Sequence, residues 1–385
     1  MFLFQLEARR RLRFDLNSDF GLQNLNTLAQ THLETLPHPD TPIYLLKKLP
    51  LRHFDRLRTE MVRTLTRKRV LEQFRLLDTY YTIAVDGTGL LYFSKPHCPH
   101  CLTAQLSNGN TLYYHNVLEA KLIASNGLAI SLASEFIENT DGDSKQDCEL
   151  KAFYRLIPRL RKAFPQLRIC LLLDALFLNQ TVLDLCKKYH LAYITTFKEG
   201  SLPAGFQEYE TLLKLLPDQI KTTSHNGTRC RFRWANDLSL AEHCFHAFEC
   251  HQTLPNGKRT RFVWATNIPV SASNVEALSQ KGGRLRWKVE NEGFNSQKNG
   301  GFALEHAYCE NWTAARHLYF LLQIAHFIFQ LICLGSLLKH PPPVLFGSLK
   351  AFAQRLLEAW RNALLDPLLL HSVLARPFQI RIRSP

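Results

Sequence analysis

Three acidic side chains stand at widely separated places in the sequence where chemistry could be done. Asp86 follows a short β-rich run, and Asp174 follows a continuous apolar run. Glu290 lies far downstream in an Arg- and Trp-rich stretch, with Glu292 as the alternative third acid. A carboxylate at the end of a buried strand is costly unless a partner compensates its lost hydration. Such acids, brought together, would form a site for Mg²⁺ or Mn²⁺, which prefer clustered oxygen ligands.

This acidic set predicts phosphodiester chemistry. Two ions about 3.5–4 Å apart can activate a water or a 3′-hydroxyl and stabilise the leaving oxygen of an in-line attack. Taken singly, Asp86 is equally a turn residue before Gly87, and Asp174 is equally the N-cap of a following helix. The strand order and the basic charge together favour Asp86, Asp174 and Glu290 as joint catalytic and metal-binding residues.

The composition indicates a folded, basic protein. Of the 385 residues 46% are hydrophobic, which is enough for a sizeable core and excludes a disordered chain. The formal net charge is +14, and its basic residues are spread along the chain. Lys and Arg contacts to phosphates supply affinity without sequence choice, so a polyanion is the expected partner.

The cysteines and the apolar segments bear on location. The 10 cysteines lack the regular spacing of a secreted disulfide scaffold, which favours reduced thiols in a cytoplasmic protein. The apolar start at Met1 is too short for a signal peptide. The segment Leu318–Leu338 is long enough to span a membrane, but Gln323, His326 and Gln330 interrupt it. We expect it to be a buried helix, and we expect no membrane partner.

Changes in hydrophobic period divide the chain. Residues 1–78 are predicted to be helical and, in one interpretation, a truncated DNA-binding part. A catalytic domain is predicted in two parts, 79–198 and 281–340, with a β-rich insertion at 199–280 between them and an acidic helix in the second part. A C-terminal helix with a basic tail is predicted at 341–385. A turn at Ser125–Gly127 predicts a hairpin between the second and third strands.

The fold class expected is α/β. The runs in 79–198 follow the order β-β-β-α-β-α-β, which is typical of a ribonuclease-H-like mixed sheet with flanking helices. In that topology the strands before Asp86 and Asp174 are neighbours, so both carboxylates reach one edge of the sheet. A helix returning after the insertion can place Glu290 or Glu292 opposite them.

These stretches also resemble a known family. Asp86-Gly-Thr88, Leu172-Leu-Asp174 and Arg286-Trp-Lys-Val-Glu290 are similar to the three acidic motifs of the DDE transposases of bacterial insertion sequences. The likeness is to the group with a Tyr-x2-Arg-x3-Glu-x6-Lys signature and a β-rich insertion before it. Gly142–Glu149 and Trp287–Lys298 resemble a branch of that group. The resemblance covers about 80–335.

The family signature assigns further roles and reveals two departures. The resemblance implies that Arg286, Lys298 and Arg284 hold DNA phosphates near the cut. Gly283 stands at the Tyr position and Gln297 at the Lys position, with Lys298 one residue later.

By the same resemblance, the expected activity is metal-dependent cleavage of transposon ends followed by strand transfer. It implies terminal repeats and target DNA as partners, two Mg²⁺ or Mn²⁺ ions, a homodimer in the synaptic complex, and a place in the bacterial cytoplasm beside the nucleoid. The alternatives are a catalytically inactive DNA-binding remnant, or a ribonuclease-H-like nuclease without transposition.

A second set of residues suggests zinc. Cys98 and Cys101 form a Cys-x2-Cys pair suited to a zinc knuckle. The candidates to complete a structural zinc site are His115, Cys148, His97 and His100. The alternative is a reduced, partly exposed turn.

Two groups of residues have structural interpretations. The acidic run of Asp141, Asp143, Asp147 and Glu149 precedes a helix and is expected to cap it, with metal binding as the alternative. The tryptophans expected to pack in cores are Trp234, Trp264, Trp287 and Trp312.

Overall fold

The computed structural model describes residues 1–6, 8–139, 146–377 and 379–384. The chain divides into two compact units. The first comprises Met1–Val70, Gly89–His115 and Glu292–Pro385, and the second comprises Leu71–Thr88 and Asn116–Asn291. Asp141 and Asp143 of the acidic run lie outside the described residues.

The described residues form ten strands and thirteen α-helices. The strands are β1 (Tyr81–Phe93), β2 (Leu102–Gln105), β3 (Thr111–Ile123), β4 (Ala129–Ile137), β5 (Ile169–Leu173), β6 (Ala192–Thr196), β7 (Ile220–His225), β8 (Thr228–Leu240), β9 (His243–Thr253) and β10 (Arg259–Thr266). The helices are α1 (Arg9–Leu16), α2 (Asp19–Ala29), α3 (Thr41–Lys48), α4 (Arg52–Arg67), α5 (Glu149–Ala163), α6 (Gln180–Lys188), α7 (Pro203–Leu215), α8 (Val275–Gln280), α9 (Ser296–Asn299), α10 (Trp312–Leu334), α11 (Pro342–Phe346), α12 (Leu349–Asn362) and α13 (Pro367–Ala375).

The second unit is built on a large mixed sheet, which confirms the α/β class. Its strand order is β3-β1-β5-β6-β10-β9-β8-β7, and β4 pairs with β3. β5 runs parallel to both β1 and β6, whereas β10 is antiparallel to β6. Every residue of β5 is buried, as expected for an apolar central strand covered on both faces. The predicted β3–β4 hairpin is present, and Gly127 takes the positive φ of 94° that its turn requires.

The structure corrects three details of the second unit. Asp86 does not end the first strand, because β1 continues through the Asp-Gly-Thr-Gly stretch to Phe93. The region 199–280 is not purely β-rich, since α7 packs against β8 within it. Its last strand, β10, pairs directly with β6, so β7–β10 extend the same sheet. Tertiary pairing overrides the local turn signal of Gly87 and Gly89.

The first unit is largely helical. The N-terminal helices α1–α4 confirm the helical character predicted for that region. Its long apolar helix, α10, packs against α3 and α4 and carries buried residues on most of its faces. By length and composition α10 could cross a membrane, but 67% of its most apolar window is buried within the protein. A core helix has this distribution, as the interrupting polar residues predicted.

Candidate active site

The parallel pairing of β1 and β5 aligns the two aspartates. The ladder joins Tyr81 to Ile169 and ends at Ala84 opposite Leu172. Continuing this register by two residues brings Asp86 opposite Asp174. Residues opposite one another in a parallel ladder project to the same face of the sheet, so this register aligns Asp86 with Asp174 just beyond the carboxyl end of β5.

Asp174 is fixed by hydrogen bonds at both of its ends. Its backbone is still extended, and its carbonyl accepts a hydrogen bond of 2.7 Å from the Thr195 hydroxyl on β6. Its carboxylate accepts one of 2.9 Å from the backbone N–H of Leu176, which caps a single 3₁₀ turn. The capping role considered from the sequence is therefore present, and it holds the carboxylate in place just beyond β5.

Arg286 joins Asp86 to Glu290. Its Nη1 lies 3.2 Å from Asp86 Oδ2, and its Nη2 lies 3.3 Å from Glu290 Oε1. The guanidinium is largely buried, which strengthens both contacts relative to a surface pair. Two of the three predicted acids are therefore linked through one cation, and the third is aligned with Asp86 by strand register.

Burial makes Asp86 hard to ionise. Desolvation raises the pKa of its carboxyl to about 7, against the opposing attraction of Arg286. The negative charges of Glu290 and Glu149 contribute to this rise. The attraction of one guanidinium therefore does not offset the burial of the Asp86 carboxyl.

Glu149 is a fourth acid of this cluster. From the sequence we expected it to cap the following helix, with metal binding as the alternative. It begins α5, and its carboxyl lies against Gly87, where an added Cβ would be 2.1 Å from Glu149 Oε1. Burial first, and then the charge of Asp174, raise the pKa of Glu149. The bare backbone at Gly87 is the sequence signal for this close approach.

Asp147 differs from Glu149 although both stand in the same acidic run. The guanidinium of Arg155 donates a hydrogen bond of 2.7 Å to the Asp147 carboxylate. That carboxylate also accepts from the backbone N–H groups of Glu138 and Cys148. Asp147 therefore fixes the segment that leads into α5, but it does not cap the helix, whose N-cap residue is Cys148.

The third acid lies on an irregular helical turn rather than on an α-helix. A 3₁₀ turn, Gly283–Trp287, leads into a π-helical turn, Val289–Asn295. Gly283 packs on the ring of Trp264, where an added Cβ would lie 2.4 Å from ring atoms. A tyrosine could not occupy position 283 in this packing.

A basic, aromatic cleft of about 460 Å³ adjoins Asp174 and Arg286. Within it the guanidinium of Arg284 lies 4.1 Å from the centre of the Phe262 ring. Lys198 also lines the cleft. Trp287 contributes an indole that is 56% exposed, so the expectation that it packs in a core is wrong. The other three tryptophans are buried as predicted.

Two predicted residues belong to the first unit. Glu292 is on the π-helical turn, and its carbonyl accepts a hydrogen bond from Gln330 of α10. Lys298 forms an ion pair of 2.6 Å with Glu305. Of the two candidate third acids, Glu290 is the one that Arg286 links to Asp86.

The donor set fits a hard divalent cation. Asp86, Asp174, Glu149 and Glu290 supply only carboxylate oxygens, which are the ligands that hard cations prefer. A cation beside Asp86 and Glu149 would favour the charged forms of these buried carboxyls. Within the described residues, these acids are not among the sets whose ligand atoms all lie within 4.8 Å of one another. Arg286 stands between Asp86 and Glu290, which accounts for their separation.

The predicted zinc ligands are partly brought together, within the first unit. Cys98, Cys101 and His115 form one compact set, which no other described His, Cys, Asp or Glu joins. Cys148, another of the predicted candidates, is not in this set and is the exposed N-cap of α5. His97 Nε2 contacts the carbonyl of Glu310 at 2.6 Å, and its ring stacks on Phe93.

Known proteins add no assignment to this geometry. No family model matches the chain, and no curated protein matches it.

Proposed function

We propose that this chain is a DDE-type transposase with a ribonuclease-H-like catalytic fold. The observation that carries the proposal is the alignment of Asp86 with Asp174 across two parallel strands, with Arg286 linking Asp86 to Glu290. The element order β1, β3, β4, α5, β5, α6, β6 supports the fold, and the acidic motifs of the sequence support the family.

The acids have distinct places in the proposed centre. Asp86, Asp174 and Glu290 would hold Mg²⁺ or Mn²⁺, with Glu149 beside them at the start of α5. The bound metal would activate a water or a 3′-hydroxyl and stabilise the leaving oxygen. Asp174 is positioned by its own backbone contacts, so its carboxylate needs little reorganisation to bind a cation.

The cleft beside the acids suits DNA. Arg284 presents a charge held over Phe262, and Lys198 adds a second cation. Phosphates would bind these cations, and the exposed face of Trp287 offers a surface for base stacking. Arg286, held by two carboxylates, positions those carboxylates in the free protein and can turn toward a phosphate when a metal takes its place.

Cleavage of a supercoiled plasmid tests this function. The plasmid carries the gene of this chain with its flanking DNA, so that any terminal repeats are included. We expect nicking or linearisation in the presence of Mn²⁺, and a loss of at least about a hundredfold in Asp174→Asn, because the centre loses a charged ligand. The matched control is Asp184→Asn, an exposed carboxylate on α6, which should cleave as the unmutated chain does.

The departures at Gly283 and Gln297 favour one second candidate, a DNA-binding remnant without catalysis. Metal-independent binding of the plasmid without cleavage would support the remnant and contradict the transposase. Cleavage anywhere in the plasmid without joining of the ends would instead support a ribonuclease-H-like nuclease.

A further inference from the structure

The Cys-x2-Cys turn of the first unit is held against one strand. Cys98 and Cys101 lie between β1 and β2, and the N–H of Cys101 donates to the carbonyl of Cys98 at 3.3 Å. Leu102, the first residue of β2, pairs with Tyr114 of β3. This register sets Cys101 beside His115, so backbone pairing brings the three side chains together.

The three ligand atoms have the separations of a metal site. The sulfur atoms of Cys98 and Cys101 are 3.7 Å apart, and His115 Nε2 lies 3.3 Å from the first and 3.4 Å from the second. Zinc bonds are about 2.3 Å to sulfur and about 2.0–2.1 Å to nitrogen. In a tetrahedral site these bonds place the two sulfur atoms about 3.8 Å apart and each sulfur about 3.6 Å from the nitrogen. The triangle therefore accepts zinc with shifts of a few tenths of an ångström.

The surroundings fix this triangle in place. The His115 ring is fully buried and stacks on Trp312 with 3.8 Å between centroids. Cys101 is buried, while Cys98 is partly exposed. A disulfide between the two cysteines would need sulfur atoms about 2.05 Å apart, much closer than the 3.7 Å that separates them.

We propose that Cys98, Cys101 and His115 bind one Zn²⁺, with solvent as the fourth ligand. The ion ties the turn between β1 and β2 to the middle of β3. Its proposed role in the first unit is to hold that turn, and one position of the zinc tetrahedron stays open to solvent. Its soft thiolate ligands separate it from the carboxylate centre, which selects magnesium or manganese.

Metal content tests the proposal. Protein purified without chelators from zinc-supplemented medium should contain one Zn²⁺ per chain by mass spectrometry of the metal. Cys98→Ser and His115→Ala should each lose most of it. The matched control is Cys244→Ser, from the other Cys-His set, Asp237, Cys244 and His246, whose aspartate is 81% exposed. That variant should retain its zinc.

Cobalt substitution tests the site in the unmutated chain, so the result does not depend on whether the variants fold. The unmutated chain loaded with Co²⁺ should show a thiolate-to-cobalt charge-transfer band and the intense visible bands of a tetrahedral ion. Absence of zinc and of the cobalt bands in the unmutated chain would overturn the proposal, as would loss of zinc in Cys244→Ser alone. Asp174→Asn should keep its zinc, so this test is independent of the proposed activity.

Discussion

The protonation of Asp86 connects the proposed metal centre to stability. Burial raises its pKa from 3.8 to about 7 in the metal-free protein. Between those pH values the folded state retains a proton that the unfolded state has released, so stability falls as pH rises through this range. Asp86→Asn removes that loss.

The measurement is urea unfolding in EDTA at pH 5 and pH 8. Because one pKa unit is worth about 1.4 kcal/mol, Asp86→Asn should gain roughly 2–4 kcal/mol relative to the unmutated chain between these two pH values. Asp218→Asn serves as the exposed control. Parallel pH profiles for Asp86→Asn and the unmutated chain would show that burial does not perturb Asp86.

Gly87 tests whether Glu149 belongs to the centre. In Gly87→Ala the new methyl group displaces the Glu149 carboxyl, which ends a flexible side chain and can move. We therefore expect a change in unfolding free energy within about 1 kcal/mol, but a fall of roughly tenfold or more in Mn²⁺ affinity. Calorimetric titration measures the affinity. Gly200→Ala is the control, because its new methyl group would meet no atom within 4 Å. An unchanged Mn²⁺ affinity in Gly87→Ala would show that Glu149 does not belong to the metal centre.

At the scale of elements, the packing of Gly283 on Trp264 positions the turn that carries Arg284 and Arg286. In Gly283→Ala the added carbon would collide with a buried indole that cannot move aside. We expect a loss of about 1–3 kcal/mol in unfolding free energy, together with weaker DNA binding. Urea unfolding and fluorescence anisotropy measure the two effects, again against Gly200→Ala. A variant as stable as the control would contradict this packing.

Local pattern was enough to predict several elements. The alternation and the turn residues predicted the β3–β4 hairpin, and the apolar run predicted β5 with Asp174 directly after it. The extension of β1 through Gly87 was missed, because pairing with distant residues outweighs the local turn tendency of glycine. The helical turns at 283–295 were expected to be regular, but their 3₁₀ and π geometry depends on contacts such as Gly283 on Trp264.

The sequence predicted the site residues whose positions follow from the sheet topology, but not those whose positions depend on tertiary packing. Asp86 and Asp174 follow from two neighbouring parallel strands. Metal binding by Glu149 was only the alternative to capping, because its place against Gly87 depends on how α5 approaches the sheet, which periodicity does not specify. Cys148 was wrong as a zinc ligand, since sequence spacing alone does not show which cysteines the fold brings together.

At the scale of the whole molecule, the net charge of +14 predicts DNA binding that weakens as salt is added. Arg284→Ala should reduce affinity and lower the magnitude of the slope of log affinity against log salt by about 1. Arg355→Ala is the matched control, because it removes an equal charge from an exposed ion pair on α12. Fluorescence anisotropy over a series of salt concentrations measures both. Equal slopes of log affinity against log salt for the two variants would show that the cleft is not part of the DNA-binding surface.

Manganese binding tests the central claim most directly, which is that Asp86, Asp174 and Glu290 form one divalent-metal centre. Electron paramagnetic resonance counts free Mn²⁺ during titration of the unmutated chain and of Asp86→Asn, Asp174→Asn and Glu290→Gln. We predict saturable binding in the unmutated chain and a loss of at least about tenfold in affinity in each of the three variants, with Asp184→Asn unchanged. Equal Mn²⁺ affinity in the unmutated chain and the three variants would contradict the shared centre.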